Sequence, residues 1–165
     1  MGRGVTGSGW PRFSCHLQVD RGDLAGALAF DRECLDIRRG LVARDPDDPA
    51  ALLDLSYSLQ AVADALAAQG DFTAALTQYG EALALRRALA ERDPQNSGRR
   101  LDLAWTLTAL AGAREQQGDL AGALAAYRDA DAVLRAMSPG DGDEPQRQGD
   151  LAVLAERIAA LEQGL

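Results

Sequence analysis

Lysine is absent from all 165 residues; every one of the 17 basic side chains is arginine. That excludes Schiff-base chemistry and a phosphate-gripping lysine of the Walker type. A single histidine, His16, leaves no imidazole to serve as a base held by a scaffold, and no Ser/His/Asp, Cys/His or paired-carboxylate set can be assembled. The chain is therefore expected not to be an enzyme and to need no cofactor. Cys15 and Cys34 are too few for a disulfide framework, which points to a reducing compartment. Charged residues interrupt every Ala/Leu segment, so no apolar run reaches the roughly 18 residues of a membrane span. Residues 1–21 also lack the roughly 7–15-residue apolar stretch of a secretion signal. A cytoplasmic protein is expected. Asparagine appears once, as Asn96, beside heavy use of Ala, Arg, Leu, Gly and Asp, a bias typical of GC-rich bacterial coding.

Charge is unevenly placed. The formal net charge is −8, and residues 1–21, with three Arg and one Asp, contribute +2, so the remainder carries −10. A surface this acidic argues against a nucleic acid or an anionic membrane as the main partner.

What the chain does have is a period of 48 residues. Gly22-Asp23-Leu24 returns as Gly70-Asp71-Phe72 and as Gly118-Asp119-Leu120; Asp54-Leu55 returns as Asp102-Leu103 and Asp150-Leu151. The first two units also share Arg38-Arg39 with Arg86-Arg87 and Asp45-Pro46 with Asp93-Pro94. Self-similarity at this spacing marks a stacked array in which each unit covers its apolar face only against its neighbours. The units are 22–69, 70–117 and 118–165, preceded by an irregular tail, 1–21.

Within a unit the period is helical. Leu151, Leu154, Ile158, Leu161 and Leu165 form one stripe, and Phe72, Leu76, Tyr79 and Leu83 another. Gln-Gly-Asp at 69–71 and 117–119 reads as a turn, with Gly closing one helix and Asp capping the next. Pro46 and Pro94 end the second helix, and Pro139 does so early in the last unit, followed by a longer loop through Pro145. The pattern predicts helices over 23–44, 50–69, 71–92, 99–117, 119–137 and 147–163. Leu76 and Leu110 are expected in the core.

Leu59-x-x-Val62-Ala63…Gly70-Asp71-Phe72-x-x-Ala75-x-x-x-Tyr79-x-x-Ala82, and the same register from Leu107 to Ala130, resemble the tetratricopeptide repeat. The period is longer than that family's usual unit, and Arg87 and Arg135 stand where a closing proline is common. The longer unit looks more like kinesin-light-chain-type and bacterial arrays. The resemblance implies an all-α, right-handed solenoid of about six antiparallel helices that binds a protein or peptide partner, often beside effector domains of bacterial signalling or defence proteins.

It also implies which side chains line the groove: Tyr57, Gln60, Asp64, Ala67 and Ala68; then Trp105, Thr108, Gly112, Glu115 and Gln116; then Val153, Glu156 and Ala160. Tyr57 and Trp105 fall in equivalent columns, and aromatics with a polar handle are frequent binding anchors, although core packing explains them about as well. The Lys and Asn that chaperone-type repeats use to clamp a terminal carboxylate are missing, with Gln60/Thr108 and Asp64/Gly112 in their places. The negative, small-residue lining suits a basic or apolar helical segment.

Other features read as structural. Gly2-Arg3-Gly4-Val5-Thr6-Gly7 satisfies GxGxxG but runs into Pro11 rather than a helix. Cys15-His16 lacks further metal ligands, Cys34 stands in a small-residue core column, and Asp141-Gly142-Asp143-Glu144 lacks the spacing of a calcium loop. The Arg pairs 38–39 and 86–87 line one edge, where pairing with Glu33 and Glu81 is a plainer role than gripping an anion. Helix 23–44 has no preceding partner, since Gly4, Gly7, Gly9 and Pro11 break any helix there. Its face must be covered by Trp10, Phe13 and Leu17, by its copy in a homodimer, or by nothing, and the chain is expected to be the end of a longer array.

Overall fold

The computed structural model describes residues 24–138 and 144–164, and these form six α-helices. They are α1 (Leu24–Arg44), α2 (Pro49–Ala68), α3 (Phe72–Arg92), α4 (Ser97–Gln117), α5 (Leu120–Arg135) and α6 (Glu144–Gly164). Each packs on the helix before and after it, and α2 also touches α4, so the helices stack in chain order as antiparallel rods. The tail 1–21, with Trp10, Phe13, Cys15, His16 and Leu17, lies outside the described residues, as does the stretch 139–143.

The turns follow from their residues. Gly70 and Gly118 sit at φ 82° and 89°, conformations that a side chain would strain. There the chain folds back so that the Asp71 N–H donates to the Leu66 carbonyl at 3.0 Å and the Asp119 N–H to Arg114 at 2.9 Å. The same aspartates cap the helices that follow: Asp71 accepts from the Ala74 N–H and Asp119 from the Gly122 N–H. Asp48 and Asn96 do the same at the other joints, accepting from Ala50 and Arg99. Two kinds of joint alternate, as the sequence requires.

One boundary differs from expectation by more than two residues. α6 begins at Glu144, three residues before the predicted start, so Glu144-Pro145 opens the helix rather than closing a loop. Proline is tolerated in a first turn, where its missing N–H has no intrahelical partner in any case, and Pro49 opens α2 for the same reason.

A single apolar cluster runs through the stack, with Leu59, Val62, Ala63, Ala75, Tyr79, Ala82, Leu107, Ala111, Ala123, Tyr127, Ala130 and Leu154 all buried. The alanines in matching columns (Ala75 with Ala123, Ala82 with Ala130) are fully buried and let neighbouring helices approach closely. Leu110 is in this core, whereas Leu76 is only partly buried against it, a correction to its expected place. Cys34 is a half-buried thiol, less enclosed than Ala82 and Ala130 in its column. Leu110→Ala should cost about 3 kcal/mol of unfolding free energy by urea titration, and Leu76→Ala distinctly less. Equal losses, or none at Leu110, would contradict this packing.

Candidate binding face

The first helix of each pair (α2, α4, α6) presents one face to solvent, and on it lie the two aromatics. Tyr57 keeps 43% and Trp105 44% of its surface exposed, and Val153, in the same column, 55%. Each aromatic is tethered by its polar atom to the next first helix. The Tyr57 hydroxyl donates to Asp102 Oδ2 at 2.8 Å, and the Trp105 Nε1–H donates to Asp150 Oδ2 at 3.0 Å. Both links span 45 residues, so one contact is built twice. The rings are held in place yet half open to water.

Behind Tyr57 lies a buried cation. Arg86, on α3, is 2% exposed, and its guanidinium stacks 4.8 Å from the Tyr57 ring centroid. It donates to Ser56 Oγ and Gln60 Oε1 on α2, and to the Asp102 carbonyl and Thr106 Oγ1 on α4. One side chain thereby joins three helices. Burial lowers its pKa, with the Asp102 charge opposing that; burial raises the Asp102 carboxyl, with the Tyr57 hydrogen bond and the Arg86 charge holding it down. Arg38 makes the same forward contacts one period earlier, to the Asp54 carbonyl at 2.9 Å and Ser58 Oγ at 2.6 Å.

The other groove residues divide. Gln60 turns inward to Arg86 and Thr106. Asp64 accepts from the Tyr79 hydroxyl of its own pair. In the next pair Gly112 stands in Asp64's column, and the Tyr127 hydroxyl reaches Glu115 Oε2 instead, at 3.1 Å. Glu115 is also 3.5 Å from Arg157. Thr108 folds back on its own helix, donating to the Ala104 carbonyl at 3.0 Å. Gln116 and Glu156 are exposed. Open to a ligand, then, are Tyr57, Trp105 and Val153, edged by Asp54, Asp64, Glu115 and Glu156. Sequence reasoning missed Asp102 and Asp150 as the tethers; their recurrence after Asp54 was the available signal.

Among the described residues, no group of three or more His, Cys, Asp and Glu is arranged to hold a metal ion, and no helix is long and apolar enough to cross a membrane.

Residues 55–96, covering most of α2 and all of α3, match the family model for the tetratricopeptide repeat. The chain carries a tetratricopeptide repeat. The six helices form an all-α solenoid of that type, and tetratricopeptide repeats are protein-interaction modules rather than enzymes. No curated protein matches the chain.

All three tyrosines lie against carboxylates. Burial first, then the carboxylate hydrogen bond, pushes Tyr57 and Tyr127 up to about 12, and the same causes raise Tyr79. The unfolded chain gives up these protons near pH 10 while the folded chain keeps them, so this contribution is whole below about pH 10 and is lost as pH rises through about 12. While helical ellipticity is retained, tyrosinate absorbance should therefore appear only well above pH 10, toward pH 12. Ionisation near pH 10 with the helices intact would refute the placement of these hydroxyls.

Proposed function

We propose that this chain is a docking module whose α2–α4–α6 face takes a basic or apolar helical segment of another protein, with Tyr57 and Trp105 as anchors. The observation that carries the reading is the pair of tethered, half-exposed aromatics. A ring already fixed by Asp102 or Asp150 loses little side-chain freedom on binding, so its contact area converts efficiently into affinity. Asp54, Asp64, Glu115 and Glu156 give the rim a negative field that favours arginine- or lysine-bearing partners and speeds their association. Ala68 and Ala160, small and exposed groove positions, leave room for a helix to lie close. Cys34, which forms no disulfide among the described residues, is in keeping with action in the cytoplasm.

Peptides selected from a random display library against the whole chain should be rich in Arg and Lys. Their affinity should drop at least ~10-fold on Trp105→Ala with the helical signal unchanged. Selected peptides that are acidic, or that bind Trp105→Ala as well as the wild type, would defeat the reading.

A further inference from the structure

The internal pattern of ion pairs has one loose half at each end of the array. On the second helices, Arg39 on α1 pairs with Glu81 on α3 at 3.0 Å, and Arg87 on α3 pairs with Asp129 on α5 at 3.6 Å. The column that supplies the arginine holds Arg in all three units (39, 87, 135), and the column that supplies the acid holds Glu33, Glu81 and Asp129. Two rungs use four of these six side chains. Glu33 remains exposed on α1, and Arg135 remains on α5, turned back on Asp131 of its own helix at 2.6 Å. The step from Arg39 to Glu81 is 42 residues. The same step from Arg135 lands where Glu33 of a second copy would stand if the array simply continued.

The helix faces are unfinished in the same sense. Leu41 is 47% exposed, whereas Leu89 and Met137 in its column are 1% and 4% exposed. α2 follows α1 just as α4 follows α3, so what covers Leu89 and not Leu41 is the helix that comes before. Ile37, beside it, is 66% exposed. At the other end Ala152, Ala155 and Ala159 of α6 are exposed, while Ala104, Leu107 and Ala111 in the same columns of α4 are 0–2% exposed beneath α5. Among the described residues no helix lies on that side of α6. Among the described residues α1 has no first helix packed before it and α6 no second helix packed after it.

Register supplies a second charge match. Arg86 reaches back to Ser56 and Gln60 on the helix before it. Among the described residues Arg38 has only its forward partners on α2. On α6 the column of Gln60 carries Glu156 and that of Ser56 carries Ala152. An α6 seated before α1 would bring a carboxylate to Arg38 where the internal copies use an amide, with a small residue beside it.

We propose that copies of this chain stack head to tail, α6 of one copy seating on α1 of the next, sealed by the Glu156–Arg38 and Arg135–Glu33 ion pairs across the joint. This goes beyond the docking reading and leaves Tyr57 and Trp105 uncovered, sharing with that face only Glu156. The contact is heterologous, so it does not stop at two copies but extends as an open solenoid.

Sedimentation velocity on the full chain, from micromolar to millimolar, tests this. Wild-type mass should climb past the dimer with concentration, and less steeply in high salt. Glu33→Arg and Arg135→Glu each set like charges face to face at the joint and should weaken association about tenfold or more. Both positions are exposed, so circular dichroism should be unchanged. An equimolar mixture of the two variants restores opposite charges at every joint and should recover wild-type association, whereas Trp105→Ala should not disturb it. A chain that stays monomeric, a mass that halts at the dimer as a symmetric α1–α1 pairing requires, or a mixture that fails to recover would each overturn the proposal.

Discussion

A two-helix unit cannot cover its own apolar face, and in this chain the strongest tie between successive units is a buried charge. Arg86 sits on the second helix of the middle pair and reaches hydroxyl, amide and carbonyl acceptors on the helices before and after it. Withdrawn from water, a guanidinium is costly unless its donors are used and a counter-charge is near. Here Ser56, Gln60, Thr106 and the Asp102 carbonyl take the donors, and the Asp102 carboxylate and the Tyr57 ring face the charge. These contacts fix the spacing of α2 and α4, and that spacing places Tyr57 within reach of Asp102. The binding face thus inherits its geometry from the core behind it.

The array solves the same junction in two ways. Arg38 meets Ser58 and Arg86 meets Thr106, but in the last unit Leu134 and Leu154 occupy the corresponding columns, and both are buried. A polar tie and an apolar one serve in the same place, which shows that the fold needs the columns filled and any buried donors satisfied, not a given residue. The outward arginine of each pair has the lesser role: Arg39–Glu81 and Arg87–Asp129 are exposed, and pairs of that kind contribute little stability. Their worth lies in register.

Most of the fold was legible because the repeated residues are the ones with fixed backbone duties. Gly70 and Gly118 hold positive φ, Asp71 and Asp119 cap, and the alanine columns set helix spacing. The start of α6 was not legible, since Glu144-Pro145 reads equally as the end of a loop or the first turn of a helix. On the α2–α4–α6 face, the columns of Tyr57 and Trp105 fitted outward exposure and core packing about equally well, and the rings are half exposed. Their aspartate tethers were not legible, because each bond crosses from one period into the next. Gln60, Asp64 and Glu115, expected to line the groove, are engaged by Arg86, Tyr79 and Tyr127 from the second helices. The burial of Arg86 beside the exposed Arg87 was hidden by their identity in sequence; the hydroxyls at Ser58 and Thr106 were its only trace.

The central claim is that a satisfied guanidinium, not the arginine itself, holds the middle of the stack. Urea unfolding of Arg86→Leu beside the double variant Arg86→Leu/Thr106→Leu, which copies the Leu134/Leu154 junction, tests it most directly. The single change strands buried acceptors and should cost about 3–5 kcal/mol, while the double change should regain a substantial part of that loss. A single variant as stable as the wild type, or a double variant no better than the single, would contradict the account.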